Sequence, residues 1–457
     1  MDEILLEGIL VEEALVEEVM VEERRFSAAS DANKMRASAP EGRQFAPSFI
    51  FDILRALARN RRMRFYIGMT RFDLLCLFVC SLAFFVSAKA SAAEPQKGKY
   101  LFYVGTYTES GSKSKGIYAY RYDAATQEIT SLGLAAETTN PSWVALHPNG
   151  RFLYAVNEVQ NYKGPNSGGV SAFSIDRATG KLTFLNEVAS RGADPCYIIV
   201  DDSGKYVLVA NYTGGNIATF PISADGKLGE ASAFIQHTGH GLNPKRQEAA
   251  HAHSIDLSPD ERFAFVDDLG LDQLLVYKFD KSKGSLKPNN PPFAKLDAGA
   301  GPRHFALHPS GQFGYVVSEL ASTVTAFSVQ LKTGMLHRLQ TVSTLPDDFK
   351  GENDDAEIRI HPSGKFLYAS NRGHDSITVF AIDPAKGALT VVEHAPTQGK
   401  TPRSFEIDPT GTLLLAENQN SDSIVLFRID EKTGKLTPTG KTLEVGQPVC
   451  VKFLKID

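Results

Sequence analysis

From residue 100 onward, short apolar or alternating runs are separated by turns rich in Asp, Asn, Ser, Thr and Gly. That is the signature of strands and hairpins. One run with a polar end recurs seven times: LFYVGTYT from 101, FLYAVNEV from 152, YVLVANYT from 206, FAFVDDLG from 263, FGYVVSEL from 313, FLYASNRG from 366 and LLLAENQN from 413. Another strand type precedes six of these, as in PSWVALHPNG, PCYIIVDDSG, AHSIDLSPDE and PRHFALHPSG. Its seventh copy, QPVCVKFL, stands at the C-terminal end. A hairpin follows each polar-ended run, as in GVSAFSIDRATGKLT and SITVFAIDPAKGALT.

Each unit therefore holds four strands over about 50 residues, and radial repetition of such units builds a β-propeller. Seven units predict seven blades. A propeller must close its ring or leave exposed sheet edges. Pairing QPVCVKFL with LFYVGTYT closes it in one blade made from both chain ends. The expected fold is all-β, a seven-bladed propeller over residues 99–457.

The N-terminal hundred residues stand outside this pattern. The run LLCLFVCSLAFFV (74–86) follows Arg61, Arg62, Arg64 and Arg71 and precedes SAKASAA. A basic flank, a short apolar core and an Ala-x-Ala site make a secretory signal peptide, expected over 69–92. The protein is then exported, to the periplasm or beyond. Residues 1–68 are expected to be disordered or a spurious extension, with translation starting at Met63 or Met69. Cys76 and Cys80 leave with the signal, so the mature chain keeps Cys196 and Cys450. Both open inner strands of non-adjacent blades, too far apart for a disulfide, and neither is expected to be catalytic.

A 42% hydrophobic, 22% charged composition excludes a wholly disordered chain. The net charge of −5, without clustered Lys or Arg, excludes a nucleic-acid partner. No apolar run reaches the roughly 18 residues of a membrane span, so no membrane partner is expected after signal cleavage. A monomer is expected.

Within a blade, the first strand runs along the central channel and the HPSG-type turn sends the second strand back. Starts of first strands and ends of second strands therefore share one face. Starts place His251, His253, Arg303, His304, Glu357 and Arg403 there; ends place Glu319, Asn371, Arg372, His374 and Glu417. The opposite face carries repeated turn chemistry, which gives His147, His308 and His361 a structural role. His-Ala-His, Pro-Arg-His and Asn-Arg-Gly-His occur once each, so the repeat does not demand them. Arginine forks suit anions and histidine suits proton transfer near neutral pH. A metal reading, His251 and His253 beside Asp267 and Asp268, lacks a third clear His ligand; neither metal nor cofactor is expected. No Gly-x-Ser-x-Gly supports an α/β-hydrolase mechanism.

The stretch GLNPKRQEAAHAHSIDLSPDERFAFVDDLGLDQLLVYKFD (241–280), the opening YLFYVGTYTESGSKSKGIYAYRYD and NPSWVALHPNGRFLYAVNE resemble the lactonase family of seven-bladed propellers. That family includes propeller-type 6-phosphogluconolactonases and the fungal 3-carboxy-cis,cis-muconate lactonizing enzyme. The resemblance covers about residues 99–457 and implies a metal-free site of one His, two Arg and one Glu at a channel mouth. The matching positions are His253 or His251, Arg303, Glu319 and Arg372, with Arg403 as a further candidate. Glu417 and Asn371 are added as substrate-binding candidates. The expected activity is metal-independent hydrolysis of an anionic sugar lactone. A muconate-type cycloisomerase and a non-catalytic binding platform are the alternatives; the last requires aromatic patches on the rim.

Overall fold

The computed structural model describes residues 98–109 and 111–457. The expected extension (1–68) and signal peptide (69–92) lie outside the described residues. Seven four-stranded antiparallel sheets form the seven blades of the ring. Blade 1 consists of Lys99–Thr106, Gly116–Asp123 and Glu128–Glu137, with Pro448–Lys455 as its inner strand. Tyr100 pairs with Lys455 and Gly105 with Cys450, so the two chain ends close the ring by backbone hydrogen bonding. Blades 2 to 7 follow in chain order over residues 144–189, 195–236, 252–295, 302–343, 354–396 and 402–444. Second strands such as Phe152–Asn157 and Phe313–Ser318 are buried at every position, as strands packed between neighbouring blades must be.

The inner strands are not regular. The pairing steps from Pro195 to Tyr197, Ala252 to Ser254, Pro302 to His304 and Pro402 to Ser404, and in blade 6 from Asp355 to Ile358. One residue is extra at each of the first four steps: Cys196, His253, Arg303 and Arg403. A bulge removes a residue from the ladder and re-aims its side chain. In these four blades the bulge thus delivers one variable side chain to the same end of the channel.

At the opposite end the turns tie blade to blade. His147, His308 and His361 each accept a backbone N–H two residues on through Nδ1, which fixes Nε2–H as the donor. Nε2 then donates to Gly204, Gly364 and Gly411 of the next blade at 2.8–2.9 Å. Outer hairpins use glycine in the same periodic way. Gly387 has φ +66°, and a Cβ there would lie 2.3 Å from the Phe313 ring of the preceding blade. Replacing His308 by Ala should cost about 1 kcal/mol by losing this hydrogen bond. Thermal unfolding should show a lower Tm; an unshifted Tm would contradict the tie.

Candidate active site

Glu319 follows the second strand of blade 5 and is almost fully buried. Its Oε2 lies 2.9 Å from Arg303 Nε and 2.9 Å from Arg372 Nη2, and its Oε1 accepts from Arg246 Nη2. The Arg303 contact is ionic only, because its Nε–H is not aligned for a hydrogen bond. Backbone carbonyls hold the arginines from behind. Arg303 donates through Nη1 to Ala356, and Arg372 donates through Nε to Asp354 (3.3 Å) and through Nη2 to Asp355 (3.0 Å). Arg403 completes the group, with its guanidinium 5.3 Å from the Tyr107 ring centroid.

These charges set the acidities. Burial pushes the Glu319 carboxyl up, but Arg372, Arg303 and Arg246 outweigh it and hold it at about 2. Burial, with Arg372 and Arg403, lowers Arg303 to about 10, which leaves it charged at neutral pH. Glu158 accepts from the Tyr107 hydroxyl at 2.9 Å and from Ser142, and burial raises its carboxyl. Four guanidiniums thus converge around firmly ionised Glu319, with Asp354 3.7 Å from Arg246 and Glu158 beside Arg403.

The two histidines of HAHS part company. His253, the bulge residue of blade 4, is buried with Nε2 4.0 Å from Glu319 Oε2 and Nδ1 3.8 Å from Cys196 Sγ. Burial, then the charges of Arg303, His304, Arg403 and Arg372, hold its pKa well below 6.5, so the ring is neutral. His251 stacks on Tyr212 at 4.6 Å, with Nδ1 3.1 Å from the Tyr212 carbonyl and Nε2 3.2 Å from Glu248. Its ring is engaged away from Glu319. Asp268, offered as a metal ligand, is taken by the His251 N–H and by His237 Nδ1 at 2.7 Å. Among the described residues no group of three or more His, Cys, Asp or Glu side chains could hold a metal ion.

Two other candidates lie elsewhere. Glu417 pairs with Ser404 in the ladder and is fully buried, and its electrostatic neighbours are Glu406, Arg359 and Glu357. Burial pushes its carboxyl up to about 8. Asn371 is also fully buried and spends its amide on Ser376 (3.1 Å) and Thr378 (3.0 Å) inside its own blade. Neither joins the arginine cluster, because the register turns both into the protein. Cys196 and Cys450 are free and buried, and burial pushes both thiols up.

Sequence reasoning missed Arg246. It stands in the long connection between Ala233–Gln236 and Ala252–Leu257, outside the repeat. Buried Gln247 anchors that connection, donating to the Leu269 carbonyl (2.8 Å) and to Asp272 (2.6 Å). The length of the insertion was the available signal. Beside the cluster opens a cleft of about 660 Å3 whose walls include Arg246, Arg372, Asp354 and Asn243.

A family model for the lactonase, 7-bladed β-propeller, matches residues 101–453. The chain belongs to the lactonase family of seven-bladed β-propellers. Within this family it is 40% identical to the 6-phosphogluconolactonase of Bacillus subtilis strain 168, over 78% of this chain and 99% of that one. It is 38% identical to the 6-phosphogluconolactonase of Formosa agariphila, over 67% and 85%. The solved structure of the periplasmic gluconolactonase PpgL of Pseudomonas aeruginosa superposes with TM-score 0.73 at 34% identity, over 79% of this chain and 100% of that one.

Proposed function

We propose that this lactonase-family protein hydrolyses the ring ester of a sugar lactone and holds negative charge of substrate and product at the channel mouth. The observation that carries this reading is Glu319 ringed by Arg246, Arg303 and Arg372, with Arg403 alongside. Positive charge exceeds negative in a largely buried site, so an anion completes it. The relatives named 6-phosphogluconolactonase and gluconolactonase support the reaction class.

The roles follow from the geometry. Water attacks the lactone carbonyl, and the carbonyl oxygen becomes an oxyanion. Arg303 and Arg372, fixed in advance by backbone carbonyls, stabilise that charge without reorganising. His253, neutral and within 4.0 Å of Glu319, takes the proton from water and returns it to the ring oxygen as the oxyanion collapses and the ring C–O bond breaks, leaving the hydroxy acid. Glu319, held at about 2, is a weak base; it fixes the arginines and the histidine. No metal is needed for this scheme, and four guanidiniums repel a dication.

The pH dependence has a definite sign. Protonated His253 cannot act as base, and its folded-state pKa lies below the ordinary 6.5. The acid limb of kcat/KM therefore falls below pH 6.5, with activity level from pH 8 to 6.5. The unfolded chain binds that proton first, so the same shift lowers stability as pH drops below 6.5.

The test is pH-stat hydrolysis by the chain from residue 93, after chelator treatment. The panel contains phosphorylated and unphosphorylated sugar lactones. Chelator-resistant turnover is the expected result. A silent panel with turnover of a 3-carboxymuconate would assign cycloisomerisation instead. The binding-platform reading has less support, because exposed Phe184, Phe234, Leu339 and Val391 are spread over four blades and Leu242 stands on the connection before blade 4. Export is part of the proposal, supported by the signal-like segment 69–92 and by the periplasmic relative.

A further inference from the structure

Of Asn371-Arg372-Gly373-His374, only Arg372 enters the chemistry above. His374 lines a second hollow of about 450 Å3 together with Phe349, Gln398 and Lys400. The two hollows share Gly373 and Asp375. Gly373 is exposed at φ +136°, and a Cβ there would meet the Glu352 carbonyl at 2.2 Å. The threshold therefore carries no side chain. Asp375 is pinned beside it, accepting the Thr401 N–H at 2.8 Å and the Lys400 ammonium at 2.9 Å.

The second hollow has the chemistry of a sugar subsite. The Phe349 ring meets the His374 ring at 4.9 Å and 81°. Ser376 Oγ accepts from Asn371 at 3.1 Å and lies 2.7 Å from His374 Nδ1. His374 Nε2 makes no hydrogen bond to the described residues. Phe349 offers an apolar ring to sugar C–H groups, while His374, Gln398 and Lys400 offer polar groups to hydroxyls. The first cleft alone matches the volume of a drug-sized ligand pocket, and the second extends it.

We infer that the site takes lactones carrying a second sugar ring, glycosylated aldonolactones. The lactone would lie at Arg303 and Arg372, and the second ring would cross Gly373 onto Phe349 and His374. This inference rests on the lactonase reading. Its test compares glucono-1,5-lactone with its 4-O-glucosyl derivative, by kcat/KM, on wild type and Phe349→Ala. The wild-type ratio should favour the two-ring lactone by about tenfold and fall to about one in Phe349→Ala. A wild-type ratio of one or less, or a ratio that Phe349→Ala leaves intact, overturns the subsite. Calorimetric binding of the two product acids separates the two claims. Tighter binding of the two-ring acid, weakened by Phe349→Ala, upholds the subsite even if neither lactone is hydrolysed, and the lactonase reading then falls alone. Equal binding with no hydrolysis ends both.

Discussion

Replacing Arg303 by Met should lower kcat/KM for the lactone by about 10²–10³-fold, the usual cost of losing one preorganised oxyanion donor. The side chain is buried, braced on the Ala356 carbonyl and packed against His304 at 3.3 Å. The fold should survive, because Glu319 keeps Arg372 and Arg246, and a buried guanidinium is itself costly to desolvate. Steady-state kinetics with a parallel thermal melt separates the two effects. A variant within twofold of wild type would remove Arg303 from the chemistry.

His253→Asn should lower kcat by about 10²–10⁴-fold, the range for a lost general base, and should abolish the acid limb of the pH profile. His251→Asn is the matched comparison. Its ring stacks on Tyr212 and faces Glu248, so its loss should cost far less and leave the acid limb in place. Equal losses in the two variants would mean that the base has been placed on the wrong histidine. Asparagine is chosen because it keeps a polar group in a buried position and leaves a smaller void than alanine.

Much of the architecture was legible before any coordinates. Turn residues and strand periodicity are local signals, and seven copies of each made the blade count secure. The two orphan strands at the chain ends required closure, and Tyr100–Lys455 pairing is that closure. The common face was also legible, since antiparallel strands joined by a short turn must return to the same end. Glu319, Arg303, Arg372 and Arg403 do gather there. The histidines of the HPSG-type turns likewise revealed themselves by repetition, because a residue found in blade after blade serves the fold.

The sequence alone determined the number of blades, the ring closure and which end of the channel holds the unusual residues, because these depend on short-range hydrophobic period and turn chemistry. The tertiary structure decided which side chains meet. A bulge one residue long selects His253 over His251, a change of aim that alternation cannot reveal. Ladder register turns Glu417 toward Ser404, and Asn371 bonds within its own blade. A connection outside the repeat returns Arg246 to Glu319, held there by the buried hydrogen bonds of Gln247. Those contacts join residues far apart in the chain, and only the packing of neighbouring blades fixes their distance and direction.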